Sequence, residues 1–391
     1  MRPFLVPYVT AGNGHRAAAM AVREAFSKEG LPSITVDVLN FSDKVFRMIY
    51  SNIYEIIGEH SHSSCGALYK LTDQDREKSS LIQLVDKISD KSLTQFRDFI
   101  RDNDPPAAIC THFLPQAILC NMKMNGQYNG RIYSCITDFD LHQMWVCQGV
   151  ENYFVANEAM VHKLEELGVR KENILVSGIP VLSKFSSLSR KRIVPGRPQR
   201  MRILISGSSV ADKKILSLLE SINNLEIPLD IDVIAGRNES LHERISSVIL
   251  DHPMTIRVHG FVDNMEALMA GSDLLISKPG GLTISEALCA NLPLLLFSPI
   301  PFQETKNATF IEEKGAGFLC EDINQILHKV SWLYHNPSEL MKMKDQCASL
   351  AYPMSARTIA RKIIRDLHKD PGSFFHLKLS DFELTGTEAL L

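Results

Sequence analysis

The feature that most constrains this chain is a rhythm of short apolar runs, each followed by a helical stretch and a glycine or proline turn. FLVPYVT leads into HRAAAMAVREAF, and SITVDVLN, AAICTHF, IYSCITDF and NYFVANE follow at similar spacing. A second series begins at MRILISGS and continues through LDIDVIAG, TIRVHGF, DLLISKPGG and LPLLLFSP. Runs of this length without polar alternation read as strands covered on both faces, which in a βα rhythm means parallel sheets flanked by helices. The expected class is therefore α/β, with two Rossmann-like doubly wound units facing a cleft. At 391 residues the chain exceeds one core's usual size. The boundary falls in SSLSRKRIVPGRPQR, a Ser-, Arg-, Pro- and Gly-rich stretch that reads as a solvated linker. The divisions expected are 1–190, a linker at 191–200, a second unit at 201–369, and a peripheral tail at 370–391.

Composition narrows the function classes. A net charge of −3 argues against nucleic acid as the main partner, because phosphate contacts need a basic surface. The eight cysteines form no C-x-x-C pair and no zinc spacing, which points to a reducing, cytoplasmic compartment. No apolar stretch reaches the ~20 residues that span a bilayer. No cofactor or metal is expected. Two D-x-D spacings occur, at 138–140 and 230–232, but one belongs to a TDF turn and the other to a strand.

Candidate chemistry collects where strands end. In TAGNGHR, Gly12 and Gly14 permit a tight strand-to-helix turn, and His15 stands at its mouth as a candidate for proton transfer. A helix N-terminus disfavours imidazolium and keeps a neutral base available; capping or packing is the alternative role. Thr111 and His112 follow one strand and Thr137 and Asp138 another, with His142 and Trp145 close behind. Asp138 reads either as a group converging on substrate or as a turn cap, and Trp145 as contact or packing. DKVFRMIYSNIYEIIGEH spaces Phe46, Tyr50 and Tyr54 along a helical stripe, either core or a surface that dips into a lipid interface.

In the second half, Phe261 and Val262 form a bulky turn suited to a flat ring. In SKPGGLTISEA, Lys278 precedes Gly280 and Gly281, whose bare backbone lets N–H groups approach a diphosphate at the start of a helix carrying Thr283. Glu286, further into that helix, suits two vicinal hydroxyls, as acidic residues do with ribose. PFQETKN then offers Gln303, Glu304 and Asn307. Glu286 and Glu304 could also be a glycosidase pair, a reading that turns on their separation.

These segments, in this order, resemble the monogalactosyldiacylglycerol synthases and bacterial diacylglycerol glucosyltransferases, relatives of the N-acetylglucosaminyltransferase that makes lipid II. The resemblance is carried by AGNGHRAAAMAV, CGALYKLTD, ICTHFLPQ, ITDFDLHQMW, YFVANE, VSGIPV and HGFVDNMEALMAGSDLLISKPGGLTISEALCANLPLLLFSPIPFQETKN. It implies a GT-B fold and an inverting transfer of a hexosyl group from a UDP-sugar to a lipid, most simply diacylglycerol, giving a β-glycoside. It further implies uracil against Phe261 and Val262, diphosphate against Gly280–Thr283, ribose on Glu286, and the donor sugar near Gln303 and Glu304. His15 becomes a base or acceptor-orienting group with Asp138 in reserve. Gly14, Tyr50, Tyr54, His112, His142 and Trp145 become the acceptor side of a peripheral membrane enzyme. Other activities compatible with the pattern are transfer of N-acetylglucosamine to a polyprenyl lipid, UDP-sugar 2-epimerisation, and silent nucleotide-sugar or lipid binding. One departure stands out. The family carries a glycine-rich loop after the first strand of its second half, whereas this chain reads ISGSSVADKK, leaving Gly207 with Ser206, Ser208 and Ser209 as phosphate donors.

Overall fold

A computed structural model describes residues 2–10, 13–44, 46–48, 50, 92–188, 200–207, 210–248 and 254–368. Gly12, Tyr54, Ser208, Ser209, the linker at 191–199 and the tail at 370–391 lie outside the described residues.

The strands form two six-stranded sheets, each parallel in every pairing. The first contains β1 (Phe4–Tyr8), β2 (Ser33–Asp37), β3 (Ala107–Cys110), β4 (Arg131–Cys135), β5 (Val150–Val155) and β6 (Ile174–Val176), in the order β2-β1-β3-β4-β5-β6. The second contains β7 (Met201–Ser206), β8 (Leu229–Ile234), β9 (Thr255–His259), β10 (Leu274–Ser277), β11 (Leu294–Phe297) and β12 (Gly317–Cys320), in the order β12-β11-β10-β7-β8-β9. Central strands such as AAIC and LLLF are buried along their whole length, as helices on both faces require. Ten of these strands coincide with the apolar runs of the sequence. The other two, β6 and β12, are edge strands that none of those runs marks.

Strand order reverses between β1 and β3 in one sheet and between β7 and β10 in the other. At such a switch the following connections leave in opposite directions and open a crevice beyond the strands' carboxyl ends. The two crevices set the location of everything functional below.

The last described helix does not stay with the second sheet. Helix Ser355–His368 crosses back and packs on the first sheet, burying Ile359, Ala360, Ile363 and Leu367 with Phe4, Val6, Val22 and Phe26. Those residues form an amphipathic stripe, and Arg361 on its other side meets Glu29 at 3.1 Å. Near the crossing, Ser355 Oγ accepts from Val181 N at 3.2 Å, and Tyr352 covers Gly178. A side chain at Gly178 would place its Cβ 2.3 Å from that of Tyr352, so the residue has to be glycine. One continuous apolar cluster joins the halves, with Ile136, Phe139, Trp145 and Ile179 packed with Leu275, Leu282 and Ile284. Among the described residues no helix is long and apolar enough to cross a membrane.

Candidate active site

At the first crevice, His15 lies in the opening turn of helix Asn13–Lys28. Its Nδ1 is 2.8 Å from the carbonyl oxygen of Thr111, across the switch between β1 and β3. A carbonyl only accepts, so Nδ1 carries the proton and Nε2 keeps a free lone pair. Thr137 Oγ1 lies 3.0 Å from the same Nδ1. Burial lowers the imidazole pKa to about 4, against the Thr111 bond, which works to raise it. The ring is therefore neutral at physiological pH, by burial.

His112 meets His15 edge-on, with centroids 4.6 Å apart. Its Nδ1 caps helix Phe113–Met124 by accepting from Leu114 N at 3.0 Å, and its buried Nε2 has no hydrogen-bond partner among the described residues. His142 does the same capping work for the short turn Gln143–Trp145. Trp145 is buried, and its carbonyl accepts from Gln116. The described part of the aromatic stripe also turns inward: Phe46 and Tyr50 are buried and stack at 5.6 Å. Tyr50, His112 and Trp145 are all buried in this structure, the packing alternative for Tyr50 and Trp145. Apolar area covered by the first core is worth more here than exposure. Gly14 faces Leu282 of the second half, its added Cβ falling 3.8 Å away.

Asp138 follows β4 and is clamped from the opposite half. Asn307 Nδ2 donates to its Oδ1 at 3.0 Å, and Gln303 Nε2 donates to its Oδ2. Asn307 is buried and fully committed: Nδ2 also reaches the Pro279 carbonyl at 3.1 Å, and Oδ1 accepts from Phe139 N at 2.8 Å. Asn307 thus holds the clamp rather than waiting for a ligand. Burial pushes the Asp138 carboxyl up, against donation by Asn307 and Gln303. Asp140 completes the seam by pairing with Lys163 and with Lys306 at 2.6 Å. The D-x-D at 230–232 is likewise paired, Asp230 with Arg200 and Asp232 with Arg257 and His259. Among the described residues no cluster of His, Cys, Asp and Glu has the make-up of a metal site.

The glycine turn after β10 divides its labour. A Cβ on Gly281 would stand 2.1 Å from the Thr137 carbonyl oxygen, so this glycine is spent on close contact between the halves. Gly280 faces open space, its added Cβ meeting only Thr283 Oγ1 at 3.9 Å, and it begins helix Gly281–Cys289 without a side-chain cap. That bare helix end is an anion seat by construction. Lys278 stands beside it, 3.4 Å from Glu304 Oε2, and Glu304 also accepts from Ile300 N at 2.6 Å. Burial raises the Glu304 carboxyl, with Lys278 opposing. The Glu286 carboxyl has no hydrogen-bond partner among the described residues. Burial raises its pKa to about 7, with Lys184 pulling it down and Glu266 pushing it up.

Phe261, after β9, is 62% exposed, and Val262 packs partly on the shared core. The guanidinium of Arg237 lies 4.8 Å from the Phe261 ring centroid. Sequence reasoning missed Arg237; its signal was the Gly-Arg-Asn turn closing β8. It also missed Asp140 and Lys306, whose pairing no spacing reveals.

Residues 15–181 match the family model of monogalactosyldiacylglycerol synthase, and residues 203–367 match the glycosyltransferase family 28 C-terminal domain. The chain carries both of these glycosyltransferase domains. The glycosyltransferase is 26% identical over 367 residues to the processive diacylglycerol β-glucosyltransferase of Bacillus thuringiensis, covering 92% of each chain. Its fold is GT-B, shared with MurG of Acinetobacter baumannii at a TM-score of 0.59 and 14% identity, over 93% of this chain and 99% of that one. A structure described as a putative UDP-N-acetylglucosamine 2-epimerase from Listeria monocytogenes has the same architecture, at a TM-score of 0.58 and 12% identity, over 95% and 98%.

Proposed function

We propose that this enzyme transfers a hexosyl group from a UDP-sugar to the free hydroxyl of diacylglycerol, with inversion, to give a β-glycosyl glycolipid at a membrane surface on the cytoplasmic side. Residues 1–190 serve the acceptor and membrane side, and residues 201–369 bind the donor. The observation that carries this reading is the double engagement of Thr137. Its hydroxyl lies 3.0 Å from His15 Nδ1, and its carbonyl lies against Gly281. One residue therefore spaces the candidate base from the candidate leaving-group seat.

In the step that follows, His15 Nε2 takes the proton of the acceptor hydroxyl as that oxygen attacks the anomeric carbon. The new C–O bond forms on the face opposite the diphosphate, and the electrons of the breaking bond go to the phosphate oxygen. The added charge is met by the main-chain N–H groups opening helix Gly281–Cys289 and by Lys278. Asp138, with both oxygens held by amides, acts as a rigid reference that keeps Gln303 in place rather than as the base. Phe261 and Arg237 offer the flat surface for the uracil, and Glu286 accepts from the ribose hydroxyls.

The test is UDP release from UDP-glucose, UDP-galactose and UDP-N-acetylglucosamine, each with and without diacylglycerol-containing vesicles. Release that depends on the vesicles supports the reading and identifies the sugar. Isomerisation of the donor without acceptor would replace it with epimerisation, and release with none of the donors would refute it.

A further inference from the structure

We propose that Lys214 is a direct ligand of the donor's diphosphate and supplies the charge compensation that the glycine-poor loop after β7 lacks. The inference rests on the donor reading above and deepens it. The loop 206–211 keeps a single glycine, and that glycine is occupied elsewhere: a Cβ on Gly207 would lie 3.1 Å from the Ile234 carbonyl oxygen on the neighbouring strand β8. Gly207 is thus consumed by packing, and the loop has no second glycine to bring bare main chain to a phosphate.

Lys214 lies in the first turn of helix Asp212–Ile222, which follows this loop. Its Nζ donates to Ser298 Oγ at 2.8 Å. Ser298 follows β11, whereas Lys214 follows β7, and β10 lies between those two strands in the sheet. The ammonium therefore bridges the carboxyl end of β10, where the Lys278–Gly281 turn begins, at the crevice where strand order reverses.

Charge matching singles out the same residue. Lys278 already faces Glu304, and Asp212 is taken by Arg244 at 3.4 Å. Lys214 is exposed and has only a neutral hydroxyl as partner among the described residues. An ammonium without an acidic partner among the described residues and an uncapped helix start are thus brought to the same strand end, an arrangement that suits a dianionic ligand. Ser298 holds the side chain across the strand edge, so little rotamer freedom remains to be lost on binding.

Binding of UDP and of uridine to the full-length chain, measured by titration calorimetry and by competition, tests this. Lys214→Ala should weaken UDP binding ~10- to 100-fold, the range of one lost charge-assisted hydrogen bond. Uridine binding should stay at the wild-type level, and Lys214→Arg should restore most of the UDP affinity. Thermal unfolding of both variants should match the wild type, because the side chain is exposed. Equal UDP affinity in Lys214→Ala and wild type overturns the inference and leaves the donor reading standing. Equal losses for UDP and uridine overturn it in favour of a structural role. A wild-type chain that binds no UDP removes the donor reading and the inference together.

Discussion

Replacing Glu286 with Gln should make the protein more stable at alkaline pH and worse at holding its donor. The carboxyl's ordinary value of 4.5 is raised to about 7 in the folded chain, chiefly by burial. A folded value above the ordinary one means that the protonated carboxyl favours folding below pH ~4.5, and this contribution is lost as pH rises through ~7. The shift sets an upper limit of about 3 kcal/mol. The side chain is part-exposed, and water reduces the effect to about 1–2 kcal/mol. Gln keeps the shape without titrating. Urea unfolding at pH 5 to 8 should therefore show wild-type stability falling by about that amount relative to Glu286→Gln. UDP affinity should move the opposite way. On the proposed ribose assignment the ionised carboxylate accepts from both hydroxyls, so wild-type binding should tighten as pH rises from 6 to 8, whereas the Gln variant should bind ~10-fold more weakly at pH 8 and without this dependence. Parallel pH curves for the two proteins in unfolding would refute the burial argument. Unchanged UDP affinity at pH 8 would refute the ribose assignment.

Four further outcomes are expected. His15→Ala should lower kcat by ~10²- to 10⁴-fold with UDP affinity unchanged, since only proton transfer is removed; steady-state kinetics and calorimetry separate the two. In the wild type, His15 stays neutral until the pH approaches about 4, so kcat should show no imidazole inflection between pH 8 and 5. Gly281→Ala should cost about 1–3 kcal/mol by overpacking against the Thr137 carbonyl, with a matching drop in Tm and loss of UDP release. Asn307→Ala should destabilise by about 2–3 kcal/mol, because it leaves Phe139 N–H and one Asp138 oxygen buried without partners; denaturant unfolding measures this, and Asn307→Asp should not rescue it beside Asp138.

The two crevices could be read ahead of the structure because strand ends and helix starts are local. A glycine turn after an apolar run marks the carboxyl edge of a sheet wherever it occurs, which is why His15, Asp138, Gly280 and Glu286 could be named. The roles of neighbouring residues were harder to separate. Gly280 and Gly281 look alike in SKPGG, yet one faces open space and the other abuts Thr137, a residue far away in the chain. Asn307 and Gln303 look like ligands of a sugar, yet both amides reach Asp138, and Asn307 is fully committed to the seam.

By itself the sequence determined two parallel sheets, since only strands buried on both faces tolerate runs such as LLLF. It also carried a family resemblance and a bare helix start suited to diphosphate. Only the tertiary structure decided which polar groups are spent and which remain available. Helix Ser355–His368 returns to the first sheet because its apolar stripe finds more cover there, and Tyr50 and Trp145 turn inward for the same reason. Lys214 reaches Ser298 across a strand that neither residue belongs to. Such choices depend on which surfaces meet, and pairings between residues far apart in the chain leave no periodic trace in it.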